Sequence, residues 1–263
     1  MKIEIATITD NKLIAKNIWK MKIEAPLIVK DYRGAGQFIQ ILVESSWNNP
    51  LRRPMSIASV HNNEVSIIYK IFGEMTRILS KKLPGEKLDI LGPLGNTFIF
   101  DDDSSVPVMV GGGVGLAPIL NMHKEYLSQN NNAILIIGAR NADEHFFEHD
   151  PDNDIYLSTD DGSAGIKGTV INAMEKSIDR RKNIEIFACG PEPMLKAVKQ
   201  YALDKKIPTK VSVESYMGCG IGICQGCVIE RFNENQSDHS YHEKYSLVCI
   251  DGPVYKSEEV NIA

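Results

Sequence analysis

The stretch VPVMVGGGVGLAPIL, Val106 to Leu120, is an apolar strand that runs into three glycines and out again into residues at helical spacing. That order puts a tight loop at the carboxyl end of a strand, with a helix amino terminus aimed at whatever the loop holds. Glycines let a dinucleotide lie close to the main chain, and the helix dipole favours its phosphates. The pattern departs from the dehydrogenase form Gly-x-Gly-x-x-Gly. Pro118 stands at the third glycine's place, and the next strand, NAILIIGAR, ends on Arg140 rather than on an acid. The loop therefore predicts a nucleotide domain of another kind. The alternative is a glycine turn with a purely structural role.

Downstream of this loop, strands and helices alternate. LAPILNMHKEYLSQ, GTVINAMEKSI and PEPMLKAVKQYALDKK have helical spacing, the last opened by Pro191 and Pro193. NAILIIGAR, DIYLSTDDG, NIEIFACG and TKVSVESY read as strands. This alternation predicts a parallel, doubly wound sheet. Upstream, KIEIATI, GQFIQILVE, EVSIIYKIF, KLDILGPLG and NTFIF are short strands rich in isoleucine and valine, interrupted only by a short helix near EMTRILSKKL. They predict an antiparallel β-barrel. The acidic segment DDDSS, Asp101 to Ser105, reads as the linker between the two.

The 263 residues are enough for two domains and a small third. With 43% apolar and 24% charged residues the composition is globular, and the net charge of -5 without a basic block gives no reason to expect nucleic acid. No membrane span and no signal peptide are evident, so a cytoplasmic protein is expected. Clustered thiols in a reducing compartment are more often metal ligands than disulfides.

Such a cluster occurs in YMGCGIGICQGCVIE, Tyr216 to Glu230. The spacing Cys219-x4-Cys224-x2-Cys227, with Cys249 further on, is the plant-type order of a [2Fe–2S] centre. Glycines at 218, 220, 222 and 226 allow tight bends and bring amide N–H groups to sulfur. Structural zinc usually takes two Cys-x2-Cys knuckles, and only one is present. Free core cysteines are the third alternative. Cys189 lies apart, at a strand end beside Gly190 and Pro191.

RRPMSIAS places Arg53 three residues before Ser56 in a strand. An arginine there can neutralise a pyrophosphate, and the serine can hydrogen-bond the edge of a flavin ring. YKIFGEMTRILS adds Gly73 and Thr76 at a helix start, an anion site or an ordinary capped helix. Asp160, after the strand DIYLST, can accept hydrogen bonds from the ribose hydroxyls of NAD and would repel the extra phosphate of NADP. Alternatively, Asp160 and Asp161 form a turn with Gly162.

In chain order, GQF, RPMS, GEMT, GPLGN, GGGVGLAP, GAR and CGPEPM make the sequence resemble the ferredoxin reductase family over nearly its whole length. TDDGSAGIKGTV, ESYMGCGIGICQGCV and CIDGPVY make its carboxyl end similar to the electron-transfer subunits of type B dihydroorotate dehydrogenase. The resemblance implies FAD, a [2Fe–2S] cluster and NAD as cofactors. It implies a partner too, an FMN-containing catalytic subunit that oxidises dihydroorotate to orotate in pyrimidine biosynthesis, assembled as a heterotetramer of two plus two. It further implies FAD contacts at Arg53, Pro54, Met55, Ser56, Ile68, Tyr69, Lys70, Met75 and Thr76. NAD phosphates would lie at Gly112, Gly113, Val114 and Gly115, and the nicotinamide at Cys189, Gly190 and Pro191. Cys219, Cys224, Cys227 and Cys249 would be the cluster ligands.

The corresponding division is a flavin barrel over 1–102, a nucleotide domain over 103–213 and a cluster segment over 214–263. Ala35 stands where the family often has proline, Glu74 and Met75 replace a more glycine-rich turn, and the segment from Cys227 to Cys249 is long. His239 and His242 in that segment are read as part of a polar surface insertion, histidine ligation being the alternative. A related subunit of a ferredoxin-NADP reductase or sulfide dehydrogenase complex is the competing function. A non-enzymatic zinc-binding adaptor is the reading from another class.

Overall fold

The computed structural model describes all residues except 45, 47, 48, 103, 130, 179–182, 233–240 and 263, and the main chain only of 114, 241 and 242. The amino-terminal part consists of β1 (Lys2–Ala15), β2 (Ile18–Glu24), α1 (Pro26–Asp31), β3 (Phe38–Leu42), β4 (Arg53–His61), β5 (Glu64–Lys70), α2 (Glu74–Leu79) and β6 (Lys87–Leu94). Its strands close into an antiparallel barrel in the order β1-β2-β5-β4-β3-β6, and β6 pairs back onto β1. Strand period dictates the filling. Ile39 and Ile41 of β3 enter the barrel core with Ile8, Met21, Ile23, Ile57, Ile67 and Ile90. Phe38, between them and the turn, points the other way and joins a second core outside the barrel.

The second part comprises β7 (Val106–Gly112), α3 (Leu116–Leu127), β8 (Ile134–Ala139), β9 (Ile155–Thr159), β10 (Ile166–Lys167), α4 (Val170–Ile178), β11 (Ile184–Cys189), α5 (Glu192–Lys205) and β12 (Thr209–Ser212). The cluster segment adds β13 (Val228–Glu230), α6 (Tyr241–Lys244), β14 (Tyr245–Leu247) and β15 (Val254–Lys256). The main sheet runs β10-β9-β8-β7-β11-β12-β15, parallel throughout except for β15. Alternate residues face opposite layers. Met109, Leu135, Ile137 and Phe187 pack on α3 through Leu116, Ile119 and Met122. Val108, Val110, Ile134, Ile136 and Ile186 pack on α4 and α5 through Ala173, Met174, Leu195 and Val198. That two-sided burial explains why these strands read as continuous apolar runs.

Two expectations change. NTFIF forms no strand, because its two aromatic side chains serve a different surface. Phe98 lies edge-on to Phe187, with centroids 5.8 Å apart, and Phe100 stacks on Tyr126 at 5.1 Å. The segment thus crosses from barrel to sheet as a cover, tied by the Phe98 N–H donating to Ala35 O at 2.9 Å. The sheet also gains an antiparallel edge from the cluster segment, since Val211 of β12 pairs with Tyr255 of β15.

The barrel and the sheet are fastened together by buried and half-buried polar contacts. Asn121 of α3 donates to Ile57 O at 3.1 Å, and Glu125 accepts from Tyr32 Oη at 2.5 Å and from Ala35 N at 3.1 Å. The acidic linker is pinned as well. Asp101 pairs with Lys210 at 2.9 Å, and the same ammonium meets buried Glu185 at 2.7 Å.

Candidate functional site

One cleft of 1420 Å³ runs between the three parts of the chain. That exceeds the roughly 300–1,000 Å³ of an ordinary small-molecule pocket and suits more than one nucleotide-sized group. Its barrel wall contains Arg53, Pro54, Met55 and Ser56 from β4, Ile68, Tyr69 and Lys70 from β5, and Gly73, Met75 and Thr76 from the start of α2. The sheet wall presents Gly112, Gly113, Asp160, Cys189 and Pro191, and the cluster wall presents Tyr216, Gly218, Cys224 and Gly226.

The position follows from topology. β7 has β8 on one side and β11 on the other, so the chain winds away from it in both directions. The carboxyl end of such a strand opens a crevice where ligands of open parallel sheets bind. Gly112 and Gly113 stand there, and Gly113 takes a φ of +58°, a conformation that glycine adopts without strain. Gly115 and Gly190 do not line the cleft. A Cβ on Gly115 would come within 2.4 Å of Gly190 N, so these two glycines let two loops touch beneath it. Val114 lies in the same tight turn, Gly113–Gly115.

On the barrel wall two adjacent arginines have different duties. Arg52 donates to Asp89 O at 2.8 Å and to its carboxylate at 2.7 Å, which fastens β4 to β6. Arg53 has no ion-pair partner among the described residues and faces the cleft, where it can meet an anionic group. Lys70 is paired with Glu144 at 2.7 Å across the barrel-to-sheet junction. Thr76 caps its own helix: its hydroxyl accepts from Phe72 N at 3.0 Å and from Gly73 N at 3.2 Å. Asp161 accepts from Ser163 N and Oγ at 2.9 and 2.6 Å and so forms the turn. Asp160 remains exposed on the cleft wall.

Cys189, Ser212 and Glu214 also line the cleft. Burial pushes the Cys189 thiol far above its ordinary range, the nearby Glu214 charge adds to this, and the Ser212 hydroxyl opposes it. Burial likewise raises the Glu214 carboxyl. A thiol kept neutral can border an uncharged or hydride-carrying ring without charge repulsion. Sequence reasoning did not single out Ser212 or Glu214. Their signal was their place at and just after the end of β12, the edge of the crevice.

The four clustered cysteines come together. Cys219 accepts from the N–H groups of Ile221 and Cys224, both at 3.4 Å. Cys249 accepts from Gly222 at 3.2 Å, Cys224 from Gly226 at 3.4 Å and Cys227 from Cys249 at 3.4 Å. Every one of the four sulfurs thus receives a backbone N–H, a surrounding that suits thiolates. The side chains associate in twos, Cys219 with Cys224 and Cys227 with Cys249. Among the described residues no group of three or more Cys, His, Asp and Glu side chains gathers around a single-ion position. Four thiols, each offered a backbone N–H, fit the ligand set of a two-iron cluster. Burial acts against ionisation at Cys219, but the amides of Cys224 and Ile221 outweigh it and bring the thiol down to about 7. Cys249 is pushed up to about 12 by burial and by Cys227. Gly220 and Gly222 turn the loop at φ +73° and +81°. His239 lies outside the described residues, and of His242 only the main chain, in α6, is described.

A six-stranded barrel joined to a doubly wound nucleotide sheet, with an iron–sulfur segment on its edge, defines the class: an electron-transferring oxidoreductase of the ferredoxin-reductase type. Residues 214–261 match the iron–sulfur cluster binding domain of dihydroorotate dehydrogenase B, and residues 109–200 match the oxidoreductase NAD-binding domain. The chain is 38% identical over 273 aligned positions to the dihydroorotate dehydrogenase B (NAD(+)) electron transfer subunit of Bacillus pumilus (strain SAFR-032), covering 100% of both chains. It is 39% identical to the Bacillus velezensis (strain DSM 23117 / BGSC 10A6 / LMG 26770 / FZB42) subunit of that name, covering 97% of each. It is also similar to a solved NADH-dependent reduced ferredoxin-NADP oxidoreductase, with a TM-score of 0.83 and 29% identity over 98% of this chain and 90% of that one. The chain belongs to the family of electron transfer subunits of the NAD(+)-linked dihydroorotate dehydrogenase B. Among the described residues no helix is long and apolar enough to cross a membrane.

Proposed function

We propose that this chain passes electrons between NAD(H) and an FMN-containing catalytic subunit that oxidises dihydroorotate to orotate in pyrimidine biosynthesis. The carrying observation is the cleft, which is lined together by the Arg53-to-Ser56 strand, the Gly112–Gly113 loop and Cys224. The chemistry supplied by FAD, NAD and a [2Fe–2S] cluster held in this cleft would be hydride exchange on the nicotinamide side and single-electron exchange on the cluster side.

The residues do the rest. Arg53 offsets pyrophosphate charge, Ser56 hydrogen-bonds the flavin edge, and Pro54, Met55, Ile68 and Tyr69 supply apolar wall. Lys70, Gly73, Met75 and Thr76 complete that side. Gly112 and Gly113, with Val114 and Gly115 behind them, admit the NAD phosphates to the main chain, and Asp160 accepts from the ribose. Cys189, Pro191 and Glu214 border the nicotinamide, with Gly190 packed beneath. Cys219, Cys224, Cys227 and Cys249 hold the cluster. The division into a flavin barrel over 1–102, a nucleotide domain over 103–213 and a cluster segment over 214–263 follows the same reading, with β15 returning to the sheet.

The pair assembles as two plus two in the cytoplasm. Co-expression with the FMN-containing chain should give dihydroorotate-dependent NADH formation that neither chain shows alone. Dihydroorotate turnover by this chain by itself, or an inactive pair carrying full cofactors, would refute the reading. The second reading, a subunit of a ferredoxin-NADP reductase complex, draws on the 0.83 TM-score similarity. It predicts instead that a ferredoxin, rather than the FMN chain, restores activity.

A further inference from the structure

Gln40 belongs to β3 but is out of place there. It is completely buried, and neither its amide nitrogen nor its amide oxygen has a hydrogen-bond partner among the described residues. Its neighbours in register are Pro54 of β4 and Leu91 of β6. Gln40 shares the outer face of the barrel with Phe38, and Phe38, Leu91 and Leu94 belong to the apolar core that also contains Cys227 and Cys249. A leucine would suit this position, and a buried unpaired amide costs more than a made hydrogen bond returns. Such a group in a native protein calls for an explanation, of which a functional partner is one.

The direction of the side chain supplies that explanation. A Cβ on Gly220 would stand 2.7 Å from Gln40 Nε2 and 2.8 Å from Gln40 Cγ. The amide therefore packs against Gly220, immediately after Cys219, and the absence of a side chain at that glycine is what admits it. Opposite Gln40 on β4, Pro54 lines the cleft between Arg53 and Met55. Gln40 thus stands between the strand that faces the flavin site and the loop that carries a cluster ligand.

We propose that Gln40 is a positioning residue for the iron–sulfur centre, its amide donating a hydrogen bond to sulfur on the Cys219 side of the bound cluster. This rests on the electron-transfer reading above. A donor to cluster sulfur stabilises the more negative, reduced state, so it raises the reduction potential. The same contact holds the cluster loop against the barrel.

The test is an EPR-monitored redox titration of the full chain with FAD and iron bound, for wild type, Gln40→Met and Gln40→Glu. Gln40→Met keeps length and flexibility and removes the donor. It is expected to shift the reduction equilibrium towards the oxidised cluster by about three- to tenfold, where tenfold is about 59 mV for one electron. Gln40→Glu, which offers oxygen in place of the amide nitrogen, is expected to shift it in the same direction and further. Loss of the cluster from a variant that keeps its FAD also supports the assignment, because the barrel is then intact and only the loop has been released. Variants that keep the cluster at the wild-type potential overturn it. A variant that loses FAD and iron together makes Gln40 a barrel residue and likewise overturns it. Wild type without a reduced-cluster signal overturns the cluster reading itself, and this inference with it.

Discussion

Within the barrel, Ile23, Ile39, Ile41, Ile57, Ile67 and Ile90 are all wholly buried around one axis. Between Val213 and Val254, the described residues contain only the three-residue strands β13 and β14 and a single short helical turn. The barrel is ordered by water leaving aliphatic surface, worth about 1.5–3 kcal/mol for each fully buried side chain of this size. The cluster segment has no core of its own: Cys227, Val248, Cys249, Tyr255, Val260 and Ile262 are set into the core of the neighbouring sheet. Around the cysteines its order comes from backbone N–H groups turned towards sulfur, and beyond them from Asn96, which donates to Asp251 O and Val254 O. One region is held by its own core, while the other waits on its ligands and on the edge strand β15.

Breaking this contrast is most direct at Cys227, which is 1% exposed. Cys227→Ser should abolish the iron–sulfur absorption altogether and strip hydrogen-exchange protection from the cluster segment. Bound FAD and NADH-driven dye reduction should persist. A variant with a full cluster spectrum would remove Cys227 from the ligand set, and loss of FAD would show the regions to be interdependent. The reverse experiment is Ile39→Ala. Deleting that buried side chain should cost about 2–5 kcal/mol in denaturant unfolding followed by flavin fluorescence. If the cluster is lost at lower denaturant than the flavin, the contrast fails.

A finer comparison lies within the barrel wall. Arg53→Ala should weaken FAD retention by at least tenfold, since hydrogen bonds to charged groups contribute about 1.5–3 kcal/mol, with little change in Tm. Arg52→Ala should do the opposite, lowering Tm because the bonds to Asp89 are lost while FAD affinity holds. Equal effects on both measures would mean that the two arginines are not divided as described. The smallest effect concerns Asp160. At ~4 Å and an effective dielectric of about 20, its repulsion of a 2′-phosphate is on the order of 4 kcal/mol before water and salt reduce it. Steady-state dye reduction should therefore favour NADH over NADPH by several-fold, and Asp160→Arg should narrow that ratio. An unchanged ratio would return Asp160 to the turn with Asp161.

The same contrast governs what could be read from the sequence. Glycine and cysteine spacing in the cluster segment was legible without any secondary structure, because thiolate chemistry fixes residue type and interval. The doubly wound order was legible from apolar runs alternating with helical spacing. The barrel was harder. IWKMKIE, which forms β2, alternates with Met21 and Ile23 buried and lysines outward, but its short run and mixed charge do not set it apart from a loop in the sequence. NTFIF has strand-like composition but spends its aromatics on Phe187 and Tyr126. The six-residue α1 is too short to show helical periodicity in the sequence. Of the site residues, the glycine loop, Arg53 and the cysteines were visible as motifs. Gln40 and Glu214 were not, because their roles depend on what the folded chain places opposite them.

The central claim is that flavin and cluster form one relay inside this chain. Anaerobic titration of the purified protein with NADH, followed by visible and EPR spectra, addresses it most directly. The account predicts that NADH bleaches the flavin and that a reduced [2Fe–2S] signal grows with it, while Cys227→Ser shows the bleaching alone. Flavin bleaching in wild type with a present but permanently oxidised cluster would contradict it.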